Sequence, residues 1–174
     1  NVTDTDGDGF DDGREVALGF DPNDPDDFPR ARADFDGDGV SDYGCYDAAG
    51  IPGLVSPGQW YFMKSSDGFD ASVSFGYRGT VPVVGDFDGD GIEDYGCYDA
   101  AGIPGAALPG SWYFMLSSNG FTTASFGYVG TVPVVGDFDG DGIDDYGCYD
   151  DAGIPGAASP GSGYFLLSGE GFAA

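Results

Sequence analysis

One acidic word recurs along this chain at a nearly constant interval, and that recurrence limits the available folds more than any other feature. Asp34-Phe-Asp-Gly-Asp-Gly-Val-Ser-Asp42 returns as Asp86 to Asp94 and as Asp137 to Asp145, with starts 52 and 51 residues apart. A period of this size means one supersecondary unit stacked on copies of itself, each burying the face its neighbour cannot cover alone.

Each unit reads as four short strands. Val81–Gly85 leads into the acidic word and residues 95–98 leave it. Residues 112–118 make the longest strand. Residues 122–128 follow a turn at Asn119-Gly120, a dipeptide suited to a tight hairpin. Gly and Pro punctuate the junctions, as in Gly102-Ile-Pro-Gly105 and Pro109-Gly110. In the third strand Trp60 and Phe62 alternate with Tyr61 and Met63, and Trp112 and Phe114 with Tyr113 and Met115. A strand apolar on both sides predicts sheets on both sides, as in blades stacked around an axis. The expected fold is all-β: a propeller-like array of about three four-stranded repeat blades, the last one incomplete. The one expected helix is short, over residues 14–18, with Gly19 as its stop.

This divides the chain into an N-terminal acidic-loop segment (1–28), repeat 1 (29–85), repeat 2 (86–136) and an incomplete repeat 3 (137–174). The outer repeats depart from the pattern. Pro29-Arg-Ala-Arg-Ala33 stands where Val-Pro-Val-Val-Gly stands elsewhere, and Gly163 stands where the others carry Trp60 and Trp112. A closed propeller takes about 4–8 blades. The open edge is therefore expected to be completed by further repeats or by another chain.

The acidic words have the oxygen-ligand spacing of a calcium loop, with carboxylates at positions 1, 3, 5 and 9 and Gly at position 6. The candidate ligands are Asp34, Asp36, Asp38 and Asp42 with the Val40 carbonyl; Asp86, Asp88, Asp90 and Asp94 with that of Ile92; and Asp137, Asp139, Asp141 and Asp145 with that of Ile143. Position 12 is Cys45, Cys97 or Cys148, so these loops lack the last carboxylate of an EF-hand. A fourth loop fills the whole pattern: Asp4, Asp6 and Asp8, the Phe10 carbonyl, Asp12, and Glu15 at position 12. The Asp21-Pro-Asn-Asp-Pro-Asp-Asp27 stretch that follows either adds ligands or is a solvated acidic linker. Many flexible oxygen donors favour calcium over magnesium, and the absence of His argues against zinc and copper. About four calcium ions are expected.

Charge points the same way. Lys plus Arg number 5 against 31 Asp plus Glu, a formal charge of -26. Such self-repulsion opposes a compact state, yet 14 Phe and 11 Tyr argue for a packed core rather than disorder. Cations at the loops reconcile the two. Five basic residues make no nucleic-acid patch, and no apolar run approaches the ~18 residues of a membrane span. The cysteines share one word, Tyr-Gly-Cys-Tyr-Asp, and are expected to be equivalent buried thiols, with covalent linkage between chains as the alternative.

The loops at Asp34, Asp86 and Asp137, with the Trp-Tyr-Phe-Met and Val-Pro-Val-Val-Gly words, resemble bacterial FG-GAP (VCBS-type) repeats, related to integrin-alpha-like propellers. Residues 4–27 resemble a bacterial thrombospondin type 3 calcium repeat with an EF-hand-like loop. These resemblances imply an extracellular or cell-surface, secreted, calcium-stabilised module used for adhesion, recognition or scaffolding. The Asn1-Val2-Thr3 sequon suits such a location.

Catalysis is not expected. Without His there is no Ser–His or Cys–His pair, and nearly every Asp outside the linker belongs to a loop or a Tyr-Asp turn. Two readings remain. In the first, calcium-stiffened repeats assemble head to tail into a filament, the basic Arg30 and Arg32 meeting an acidic array. In the alternative, the chain is a calcium-dependent adhesion or carbohydrate-binding propeller module of a larger secreted protein. There Trp60, Trp112, Tyr77 and Tyr128 are the candidates to stack on a glycan or other surface ligand, against the plainer role of core packing.

Overall fold

The computed structural model describes residues 3, 5–6, 12–13, 16, 21–24, 33–66, 68–69, 72–104, 107–153 and 159–168. Among them the chain is all-β, with three antiparallel sheets. The first holds β1 (Tyr43–Asp47), β2 (Gln59–Lys64), β3 (Gly68–Phe69) and β4 (Val73–Ser74). The second runs in order through β5 (Val81–Gly85), β6 (Asp94–Asp99), β7 (Ser111–Leu116) and β8 (Gly120–Ser125). The third comprises β9 (Val132–Gly136), β10 (Asp145–Asp150) and β11 (Ser162–Leu166). The closed ring of a propeller is not formed among the described residues. The helix expected over residues 14–18 falls, Val16 apart, outside them, and no helix stands among these elements.

The sheets repeat one another in register. Tyr43 pairs with Met63, Tyr95 with Met115 and Tyr146 with Leu166. Because side chains alternate across a strand, each sheet presents two chemically distinct faces. One carries the Tyr and Cys of the strand that leaves the loop. The other carries the Trp and Phe of the next strand.

These unlike faces meet between sheets. Trp60 and Phe62 lie 5.5 and 5.1 Å, centroid to centroid, from Tyr95 of the second sheet. Trp112 and Phe114 lie 4.9 and 5.1 Å from Tyr146 of the third. A core of Val83, Phe87, Tyr98, Trp112, Phe114, Tyr146 and Cys148 results. Polar bolts cross the same joints. The Tyr77 hydroxyl donates to Asp99 and the Tyr128 hydroxyl to Asp150. Burial, then the Asp99 contact, holds the Tyr77 phenol protonated well above its ordinary range.

Two expectations need correction. The third strand is not buried equally on both faces. Trp60 and Phe62 are buried, whereas Met63 is 50% exposed and Tyr61 half-buried. The thiols are not equivalent either. All three are free, but Cys97 and Cys148 are buried while Cys45 is exposed. Both departures have one cause: Tyr61, Met63 and Cys45 lie on the face of the first sheet opposite the joint, where no described sheet covers them. Burial pushes the Cys97 thiol up to about 11, so it stays protonated at neutral pH.

Trp112 donates its indole N–H to the Phe126 carbonyl at 2.7 Å, whereas the buried Trp60 Nε1 has no hydrogen-bond partner among the described residues. Trp112→Phe is therefore expected to cost more stability than Trp60→Phe, by about 1 kcal/mol. Urea unfolding in the presence of calcium measures the difference; equal losses would mean that the indole bond contributes nothing.

Candidate metal centres

Each repeat loop is organised by its first carboxylate. Asp34 Oδ1 accepts the Gly37 N–H at 2.7 Å and Oδ2 accepts that of Gly39 at 2.8 Å. Asp86 accepts from Gly89 at 2.7 Å and Gly91 at 3.0 Å, and Asp137 from Gly140 at 2.6 Å and Gly142 at 3.0 Å. The donors converge because the sixth residue turns the chain at positive φ, +79° at Gly39, +85° at Gly91 and +88° at Gly142. A side chain there would cost about 1–2 kcal/mol.

The ninth residue closes the loop. The Asp42 carboxylate accepts the Phe35 N–H at 2.8 Å and the Ser65 N–H at 2.7 Å. Asp94 bridges Phe87 and Ser117 at 2.9 and 2.7 Å, and Asp145 bridges Phe138 and Ser168 at 2.8 and 2.6 Å. All three carboxylates are buried. Burial, with the Asp88 and Asp86 charges adding to it, pushes the Asp94 carboxyl up to about 7.

Serine hydroxyls from the end of the third strand hold the outer oxygens of positions 3 and 5. Ser66 and Ser65 donate to Asp36 and Asp38, both at 2.5 Å. Ser118 and Ser117 donate to Asp88 and Asp90 at 2.5 and 2.6 Å, and Ser168 to Asp141 at 2.8 Å. The Ser66 hydroxyl is the largest cause holding the Asp36 carboxyl below its ordinary value. These serines were missed in the loop pattern, although the Ser-Ser pair repeats at 65–66 and 117–118. In the third repeat Gly169 takes the second place.

In each loop, three carboxylates bring one oxygen apiece within 4.8 Å of the others: Asp34, Asp36 and Asp42; Asp86, Asp88 and Asp90; Asp137, Asp139 and Asp145. Asp38, Asp94 and Asp141 lie outside these groups. Val40, Ile92 and Ile143 donate their N–H groups to Asp38, Asp90 and Asp141 at 2.8, 2.9 and 2.9 Å. Of the N-terminal loop, Asp4, Asp8, Phe10 and Glu15 lie outside the described residues. Asp12 repeats the local half of the Asp42 pattern: it accepts the Thr5 N–H at 2.8 Å, and its own N–H donates to the Thr3 carbonyl at 2.8 Å, but its other oxygen takes the Thr5 hydroxyl at 2.8 Å instead of a serine N–H.

The donor set fits a hard cation. Asp88 Oδ1 is shut off from solvent and has no hydrogen-bond donor among the described residues. Leaving a buried carboxylate oxygen without a partner costs more than the roughly 1–3 kcal/mol of a neutral group, and a divalent ion among oxygen ligands removes that cost. Trp60 and Trp112, the indoles offered to sugars in the alternative reading, are buried between sheets.

Consecutive loops touch. The Glu93 N–H donates to the Asp34 carbonyl and the Asp144 N–H to the Asp86 carbonyl, each at 2.8 Å. Ile92 sits over Gly37, where an added Cβ would lie 3.1 Å from it, and Ile143 sits over Gly89, where the distance would be 2.9 Å.

The bacterial TSP3 repeat family matches residues 4–25. TSP3 repeats bind calcium and occur in extracellular proteins. No curated protein and no solved structure matches the chain. No helix among the described residues is long and apolar enough to cross a membrane.

Gly89 and Gly140 share a loop position and a positive φ, but nothing among the described residues lies within 4 Å of a Cβ added at Gly140. Gly140→Ala should cost only the backbone strain of about 1–2 kcal/mol. Gly89→Ala should cost measurably more, because Ile143 must also move. Thermal unfolding of the two variants in calcium reads the difference, and equal losses would mean that the loops do not press on each other.

Proposed function

We propose that this is a non-enzymatic extracellular calcium-binding structural protein. Its repeats are rigidified by calcium, and copies join head to tail into a surface or extracellular filament. The observation that carries the calcium reading is the orphaned Asp88 Oδ1, buried in a group of three carboxylates that recurs in every repeat. The ligands assigned are the acidic residues and position-7 carbonyls of the three repeat loops, together with Asp4, Asp6, Asp8, Phe10, Asp12 and Glu15 of the N-terminal loop. That makes about four sites.

Calcium supplies charge compensation and a multi-oxygen coordination shell. The chain's own residues do the rest. The first carboxylate of each loop fixes its backbone, the ninth fastens it to the sheet, and the serines aim the third and fifth. The TSP3 match supports the N-terminal segment (1–28) as a calcium repeat. The identical register of the sheets supports a propeller-like, FG-GAP or VCBS-type reading of the three repeats (29–85, 86–136 and 137–174). Secretion and head-to-tail assembly belong to the same proposal.

A site whose free calcium stands one hundredfold above its dissociation constant adds about 2.7 kcal/mol, or roughly 5–10 °C in melting temperature for a chain of this size. Asp88→Ala and Asp139→Ala are each expected to lower the melting temperature by about that much in millimolar calcium and to leave it nearly unchanged in excess chelator. Equal losses in both conditions would mean that the loops are acidic turns whose role does not involve metal.

A further inference from the structure

The two outward faces of the array are the two halves of its internal joints. At each internal joint the Tyr-Cys face of one sheet covers the Trp-Phe face of the sheet before it. The Tyr at that position is 4% exposed at Tyr146 but 75% exposed at Tyr43 of the first sheet. Cys97 and Cys148 are buried, and Cys45 is exposed. On the opposite face, the Phe at that position is 5% exposed at Phe62 and 3% at Phe114, but 46% at Phe165 of the third sheet. Phe138, which meets its ring edge to face at 4.6 Å, is exposed too, as is Tyr149.

The loops repeat this complementarity. Ile92 and Ile143 cover Gly37 and Gly89, whereas Val40 of the first loop is exposed and nothing among the described residues lies within 4 Å of a Cβ added at Gly140 of the third. The chain thus carries a free knob and its hole at opposite ends of the array, beside two matching apolar faces.

From this geometry we infer that the head-to-tail partner is a second copy of the chain. It places Tyr43, Cys45 and Met63 of its first sheet on Phe165, Tyr149 and Phe138 of the third, with Val40 over Gly140. The inference rests on the assembly reading above and names the surfaces that perform it. The contact is heterologous, so each copy keeps one free face of each kind and assembly does not stop at two. Gly163 puts no indole where Trp60 and Trp112 stand, which leaves this joint weaker than the internal ones. Assembly is therefore reversible and depends on concentration.

The test is a complementation experiment by sedimentation velocity in millimolar calcium and reductant, with calcium uptake followed calorimetrically on the same samples. Tyr43→Asp disables one face and Phe165→Asp the other. Tyr43 is exposed in the single chain, so its substitution leaves the fold intact. Should Phe165→Asp fail to fold, Tyr149→Lys takes its place. Wild type is expected to form a ladder of oligomers, each variant alone to stay monomeric, and an equimolar mixture to stop at dimers. In the wild type, Cys45 should react with a thiol reagent when dilute and lose that reactivity when assembled. If wild type assembles but both variants assemble equally well, the assigned faces are wrong and the filament reading stands. If wild type loaded with calcium stays monomeric up to high concentration, with Cys45 reactive throughout, both assembly and the assigned faces are overturned while the calcium sites remain. Absence of calcium uptake would overturn the metal reading on its own.

Discussion

A buried carboxylate bridging two backbone N–H groups is the interaction on which each repeat depends. Asp42, Asp94 and Asp145 each join the second residue of their loop to the serine that ends the strand after next. Burying a charge is costly unless it is hydrogen-bonded. Here the two charge-assisted bonds fasten a loop rich in glycine to a sheet rich in aromatics. Loop and sheet therefore cannot be formed independently.

From that clamp the rest of the array follows by repetition. A closed loop fixes where the next sheet begins, because the Asp34 and Asp86 carbonyls take N–H groups from the following loop. The sheets then meet through Trp60 and Phe62 on Tyr95, and Trp112 and Phe114 on Tyr146. Aromatic contacts supply area, while the Tyr77–Asp99 and Tyr128–Asp150 bonds set the register of one sheet against the next. Every joint repeats the same three elements, so its geometry is set locally and propagates along the chain.

Much of this was legible in the sequence because the relevant signals are local. The strand Val81–Gly85 has the limits its sequence implies, whereas the turn expected at Asn119-Gly120 lies at residues 117–119, with Gly120 already paired to Leu116 as the start of β8. The glycine at position 6 announced the turn that Gly39, Gly91 and Gly142 make. What was not legible depends on residues 23 to 30 positions apart, as in Ser117 on Asp94 and Ser118 on Asp88. A loop pattern read along the chain shows position 9 only as a ligand and cannot register that its two oxygens also hold N–H groups, one of them from the end of a distant strand. The unequal faces of the third strand escaped for a related reason. Alternation fixes which side chains share a face, but the exposure of Met63 and Cys45 depends on which sheet lies beyond.

The same geometry explains why so acidic a chain can be ordered near its loops. Position 1 spends its charge on backbone N–H groups, position 9 on the sheet, and positions 3 and 5 partly on serine hydroxyls, so the four carboxylates of a loop do not face one another unscreened. The residue of that compensation is uneven. Asp88 keeps an oxygen with no donor among the described residues, Asp94 beside it is pushed toward the neutral form, and the third repeat carries Gly169 in sequence where the others carry a second serine. Hydrogen bonding alone therefore completes the fastening of the loop but not the neutralisation of its centre. Under the proposed reading calcium enters there, at the point where the fold's own donors run out. Its effect reaches the neighbouring repeat because the first residue of each loop, whose side chain fixes that loop, lends its carbonyl to the next.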